Sequence, residues 1–186
     1  MHADRPLWTP DATRIARAPL TAFTAEAARR SGLTFPAYAD LHRWSVDDRE
    51  AFWDLLWDFC DVRGDKGGRI LIDGERMPGA AFFPDARLNF AENLLRNHGP
   101  GDALVFRGED KARARLSWDE LHALVSRLQQ LFVSLGLRAG DRIAAMMPNM
   151  PETIAAMLAA ASLGAIWSSC SPDFGEQGVL DRFGQI

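Results

Sequence analysis

Gly136-Leu-Arg-Ala-Gly-Asp-Arg-Ile-Ala-Ala-Met-Met-Pro-Asn-Met-Pro-Glu152 decides the fold, together with its continuation through Thr153 to Leu163 and Gly164-Ala-Ile-Trp-Ser-Ser-Cys-Ser-Pro-Asp-Phe174. Gly136 and Gly140 admit positive φ, which suits the end of one helix and the tight approach to the next strand. Arg142 to Met147 is a short apolar run closed by Pro148, the length expected of a strand covered on both faces. Pro151 and Glu152 fit the first turn of a helix, where a missing N–H costs nothing and a negative charge meets the positive end of the dipole. Ile154 to Leu163 is apolar nearly all round, which predicts a helix covered on most sides. Gly164 ends it, and Ala165 to Ser169 returns as a strand. This is a β-α-β crossover, so the strands are parallel and the connection right-handed.

Upstream, the pattern is mainly helical. Leu7-Trp-Thr-Pro-Asp11 reads as an opening that lies over another surface. Thr21 to Arg30 predicts a helix stopped by Gly32, with Phe23 and Ala27 on one face. Pro36 to Arg43 reads as a short helix, and Ser45 as the N-cap of a longer one with Asp47 and Asp48 in its first turn. That helix carries Phe52, Leu55, Leu56 and Phe59, widened by Trp53 and Trp57, an area suited to docking within the domain. Arg63-Gly-Asp65 and Lys66-Gly-Gly68 read as loop: the glycine spacing is wrong for a phosphate loop, and no Ser or Thr follows the lysine. Ile70 to Ile72 is strand-like.

Asn89 is placed to cap a helix over Phe90 to Arg96, with Glu92 able to reach back as in a capping box. Gly99-Pro-Gly-Asp102 is hinge-like, which divides the chain into a mainly helical extension over residues 1–100 and an α/β portion over 101–186. Ala103 to Arg107 and Ala112 to Ser117 read as a hairpin around Gly108 to Lys111. Ser117 and Glu120 form a capping box, with Leu116 stapled on Leu121. Leu121, Leu124, Val125, Leu128, Leu131, Phe132 and Leu135 then follow helical spacing.

Composition excludes several classes. The 186 residues are 47% hydrophobic and 25% charged, ordinary for a globular protein, and a net charge of −4 argues against nucleic acid or an anionic membrane as partner. The longest apolar run, near Ile154 to Ile166, is too short for a membrane span, and Met1-His-Ala-Asp-Arg-Pro6 lacks a secretory layout. Cys60 and Cys170 form no disulfide framework and no metal spacing, which together predicts a cytoplasmic location. His2, His42, His98 and His122 are scattered without metal spacing, and no Gly-x-Ser-x-Gly elbow occurs.

The stretch from Gly136 resembles the early core motif of the adenylate-forming enzymes, which include acyl-CoA synthetases, luciferases and peptide-synthetase adenylation domains. The shared features are Gly136-Leu137, Gly140-Asp-Arg142, Pro148-Asn149, Pro151-Glu152 and Gly164-Ala165. Ala86-Arg-Leu-Asn-Phe-Ala-Glu-Asn-Leu-Leu95, Trp167-Ser-Ser-Cys-Ser-Pro-Asp-Phe-Gly175 and Gly178-Val-Leu-Asp-Arg-Phe183 resemble the acetoacetyl-CoA synthetase branch more than the acetyl-CoA branch. The likeness runs from Leu7 onward and matches only the amino-terminal part of such an enzyme.

The resemblance implies an incomplete α/β domain: a helical N-terminal extension followed by the first β-α-β portion of the large domain. It implies a parent ligase that joins acetoacetate to ATP, with Mg2+, and then to coenzyme A. The family's phosphate loop ends in Pro-Lys and a further lysine lies near its C-terminus; Lys66 and Lys111 fit neither, and no catalytic residue is assigned. Ser168-Ser-Cys-Ser171 lacks the glycines and the lysine of that loop and reads as the end of a strand. Pro172, Asp173 and Phe174 follow a core strand, where α/β sheets place ligands, and the resemblance makes them a coenzyme A passage. Arg182, about two turns along the next helix, is the candidate for the nucleotide's phosphates, or else a surface salt bridge. The alternatives are a fragment of another short-chain acyl-CoA synthetase, or a non-catalytic binding module. With sheet neighbours supplied from elsewhere, the chain alone is expected to self-associate.

Overall fold

A computed structural model describes residues 7–109 and 111–186. The reading of Met1–Pro6, with His2, and Asp110 in the hairpin loop lie outside the described residues. The chain forms two compact units, one of residues up to Val62 plus Lys66–Ala86, the other of Arg63–Asp65 plus Arg87–Ile186.

The first unit is helical. Helix α1 (Ala12–Ala16) is capped by Asp11, which accepts from Arg14 N at 2.7 Å. Helix α2 (Pro19–Ser31) begins with proline and stops at Gly32, where φ is +73°. Helix α3 (Tyr38–Asp47) and helix α4 (Arg49–Phe59) differ from the expected boundary. Ser45 is not a cap. It sits inside α3 and its hydroxyl donates to His42 O at 2.7 Å, a back-bond that lets serine ride within a helix. Asp48 breaks the helix with φ −121° and ψ 67°, and its carboxylate caps α4 at Ala51 N.

Phe23, Ala27, Leu41, Trp44 and Leu55 are buried together. Phe23 meets Phe52 and Phe59 edge-on with centroids 5.7 and 5.1 Å apart, so the aromatic stripe is packing. Strands β1 (Leu71–Ile72) and β2 (Ala81–Phe82) form a short antiparallel pair. Lys66 is pinned between Asp54 and Asp58 at 2.7 and 2.5 Å, and Asp58 also receives Arg30 at 2.7 Å.

The second unit holds the α/β portion. Helix α5 (Phe90–Leu94) precedes an antiparallel hairpin of β3 (Asp102–Arg107) and β4 (Arg113–Ser117). Helix α6 (Trp118–Ser134) starts with the expected box: Glu120 N donates to Ser117 Oγ at 3.2 Å and Ser117 N to Glu120 Oε2 at 2.8 Å. Gly99 and Gly101 are bound into this start, Gly99 N to Asp119 Oδ1 and Trp118 N to Gly101 O. Strand β5 (Arg142–Met146), helix α7 (Pro151–Ser162) and strand β6 (Ile166–Cys170) make the crossover, with β5 and β6 parallel in register from Arg142↔Ile166 to Met146↔Cys170. Helix α8 (Gly175–Phe183) follows a 3₁₀ turn, Pro172–Phe174.

Ala91, Leu121, Val125, Ala155, Leu158 and Ala159 form the core, and α7 buries Pro151, Ala156 and Ala160 as well. One further expectation needs correction. Strand β5 alternates between exposed and half-buried residues, and β6 is its one strand neighbour among the described residues. It is not covered on both faces. Leu131 within α6 and Leu135 at its C-cap follow the expected helical spacing, and they are 49% and 74% exposed.

Candidate functional site

The carboxyl ends of β5 and β6 lie side by side because Met147 N donates to Cys170 O at 3.1 Å, one step beyond the last paired residues. Beyond that bond the two chains diverge. After β5, Pro148 and Asn149 turn the chain into α7, and Thr153 Oγ1 donates to Pro148 O at 2.7 Å, closing the turn. After β6, Ser171 starts the 3₁₀ turn. Its hydroxyl donates to Asp173 Oδ2 at 2.9 Å and accepts from Asp173 N at 3.4 Å.

Between the diverging ends is a cleft of about 320 Å³ lined by Met147, Asn149, Thr153, Trp167, Ser169 and Ser171, with Cys170 and Met157 in its wall. This is the position at which parallel sheets present ligands. Asn149, Thr153, Ser169 and Ser171 supply amide and hydroxyl groups, and Trp167 an apolar face. In the sequence, Asn149 and Trp167 carry the family resemblance, but neither they nor Thr153 are assigned a place in a site. Asn149 follows the end of β5, whereas Thr153 lies in the first turn of α7 and Trp167 near the start of β6.

Pro172, Asp173 and Phe174 occupy the single turn between β6 and α8. Gly175, at φ +65°, opens α8. Arg182 comes back over this turn: its guanidinium carbon lies 3.9 Å from the centroid of the Phe174 ring. This puts an exposed cation on an aromatic face, while none of Pro172, Asp173, Phe174 and Arg182 is among the residues that line the cleft. Gly178 keeps this stack close, since a Cβ there would approach Phe174 Cβ to 3.0 Å.

The histidines are less scattered than expected. His98 and His122 stack with centroids 4.3 Å apart at 16°, and His122 Nε2 lies 2.9 Å from Asn97 O, which assigns the proton to that nitrogen. Helix α6 brings together positions 24 apart in sequence, a pairing linear spacing does not reveal. Among the described residues no group of three or more His, Cys, Asp or Glu could hold a metal ion. Nor is any helix among them long and apolar enough to cross a membrane. Cys60 is exposed and Cys170 buried.

A family model described as "AMP-binding enzyme" matches residues 92–184, half of the chain and the whole of the crossover and cleft. The chain belongs to the AMP-binding enzyme family. A second model, "Acetyl-coenzyme A synthetase N-terminus", matches residues 38–94. Acetoacetyl-coenzyme A synthetase of Rhizobium meliloti (strain 1021) is 63% identical over all 186 residues, and acetoacetyl-CoA synthetase of Xenopus tropicalis is 40% identical over 187 aligned positions. The solved structure of acetoacetyl-CoA synthetase from Streptomyces lividans superposes with a TM-score of 0.89 over 98% of this chain, at 44% identity. The chain spans 29%, 27% and 29% of these three AMP-binding relatives' lengths.

Proposed function

We propose that this chain is the N-terminal part of an acetoacetate–CoA ligase. The parent joins acetoacetate to ATP, releasing pyrophosphate, and then passes the acyl group from the adenylate to the thiol of coenzyme A, releasing AMP. The observation that carries this reading is the 63% identity to acetoacetyl-coenzyme A synthetase of Rhizobium meliloti across the full 186 residues.

The residues present fit the coenzyme A half of the reaction better than the adenylation half. Lys66 is tied to Asp54 and Asp58, so it is committed to holding its own loop. The described residues offer no cluster for Mg2+, which accompanies the ATP phosphates held elsewhere in the parent. The Pro172–Phe174 turn, by contrast, lies at the end of a core strand, and its Phe174 ring carries the exposed Arg182. In this reading Arg182 draws the nucleotide's phosphates, Phe174 supports the guanidinium, and Asp173 is held back by Ser171. A cytoplasmic setting belongs to the same reading, since ATP and coenzyme A are both consumed.

The test is steady-state thioester formation by the full-length enzyme with ATP, coenzyme A and a panel of short acids. Acetoacetate should give the highest kcat/KM. A tenfold preference for another acid would reassign the substrate, and no thioester with any acid would favour a binding module.

A further inference from the structure

The segment Ala86–Leu95 carries two asparagines four residues apart, and the cleft makes no direct use of either. Asn89 uses its whole carboxamide. Oδ1 accepts from Ala91 N at 2.9 Å and Glu92 N at 3.2 Å, capping α5. Nδ2 donates to Ala161 O at 3.1 Å and Ser162 O at 3.3 Å, two carbonyls at the carboxyl end of α7, where a helix runs out of its own donors. One turn on, Asn93 anchors α5 itself: Oδ1 accepts from Arg63 N and Nδ2 donates to Arg63 O, both at 2.9 Å. From the other side Gln129 Nε2 donates to Ser162 Oγ at 2.6 Å.

The end of α7 sets where β6 begins. Gly164 O receives Gly140 N at 2.9 Å, and Ile166 N donates to Asp141 O at 2.8 Å, after which β6 runs in register to Cys170 and Ser171. A shift at Ser162 therefore reaches the Pro172–Phe174 turn along a strand that cannot stretch. We propose that Asn89 is a positioning residue for the cleft: its two donated bonds fix the end of α7, and through β6 the placement of the Ser171–Phe174 turn. The part concerning coenzyme A rests on the function proposed above.

Asn89→Asp isolates the donors, because aspartate still caps α5 while its oxygens face the carbonyls of Ala161 and Ser162. Asn89→Ser, which keeps a cap oxygen and adds no charge, serves if the aspartate variant does not fold. Ser117→Ala is the control, a cap lost from α6 without touching α7. In the full-length enzyme, backbone hydrogen exchange over 163–171 should quicken about five-fold in Asn89→Asp relative to Ser117→Ala. KM for coenzyme A should rise about five-fold while ATP–pyrophosphate exchange stays within about twofold. Exchange over 163–171 that tracks the rest of the protein equally in both variants would reduce Asn89 to a helix cap and overturn the proposal. Faster exchange there with both half-reactions unchanged would uphold the positioning of β6 and overturn the coenzyme A role of the turn.

Discussion

The guanidinium of Arg182 rests 3.9 Å above the ring of Phe174, so the last turn of α8 leans back on the turn that launches it. If this stack holds a cation for coenzyme A, the two half-reactions of the full-length enzyme separate. Phe174→Ala should raise KM for coenzyme A several-fold while leaving pyrophosphate exchange near wild type. Arg182→Ala should do the same, and the gap should narrow as ionic strength rises, because exposed charges are screened over about 10 Å at 0.1 M salt. Equal loss of both half-reactions in these variants would leave the turn a structural connector.

Glu26 is held at a pKa of about 2, against an ordinary value of 4.5, first by its bond to Arg29 and then by Arg30. Asp58 is lowered by Lys66 and then by Arg30. Depressed carboxylates stabilise the fold fully above their unfolded values and lose that contribution as protons bind, here as pH falls from 4.5 toward 2. Thermal midpoints of the chain should fall through that window, and Glu26→Gln should flatten the slope. An unchanged slope would show that the pairs are screened to insignificance.

The capping box of α6 is exposed and complete, so Ser117→Ala should cost about 1 kcal/mol in denaturant unfolding. Ser117→Thr, which keeps both the acceptor for Glu120 N and the hydroxyl donor to Glu120 Oε2, should recover most of it. No difference between the two would assign the loss to something other than the cap.

Gly32 and Gly164 share a φ near +73°, but not their surroundings. A Cβ at Gly32 meets nothing within 4 Å, whereas one at Gly164 lies 3.1 Å from Ala139 Cβ. Gly32→Ala should cost about 1 kcal/mol from backbone strain alone, and Gly164→Ala about 2 kcal/mol or more. Equal losses would mean that the Ala139 turn yields freely.

Met146 and Ile166 are both about half exposed on a two-stranded sheet, 54% and 51%. Purified as residues 1–186, the chain should scatter light in a concentration-dependent way through this sheet. The same material should show no ATP–pyrophosphate exchange with acetoacetate. A compact monomer that ignores apolar dyes would contradict the first expectation, and exchange above a protein-free control the second.

Local chemistry made much of this fold legible. The Ser117–Glu120 box and the Gly32 stop each depend on residues within a few positions of one another, and the β-α-β crossover on a succession of local strand, turn and helix signals; the structure shows all three. Ser45 misled because the same hydroxyl that caps a helix also bonds back inside one. Strand β5 misled because an apolar run reports preference for burial and not the presence of a cover. The turn at Pro172–Phe174 was readable from its place after a strand. Asn89 as the cap of α5 was readable too, but its two bonds to the end of α7, the Phe174–Arg182 stack and the His98–His122 pair were not, since each depends on the three-dimensional path.

The excursion of Arg63–Asp65 into the second unit has a consequence for anyone wishing to dissect the protein. The backbone crosses between the units at Val62, at Lys66 and again after Ala86, so no single cleavage yields both whole. A piece beginning at Arg87 would lack the segment whose Asp65 exchanges two backbone bonds with Arg87, each 2.8 Å, and whose Arg63 backbone holds Asn93. Helix α5 would then keep its cap and lose its tether. A faithful half-molecule has to be stitched, with residues 63–65 carried along on a linker, rather than simply cut.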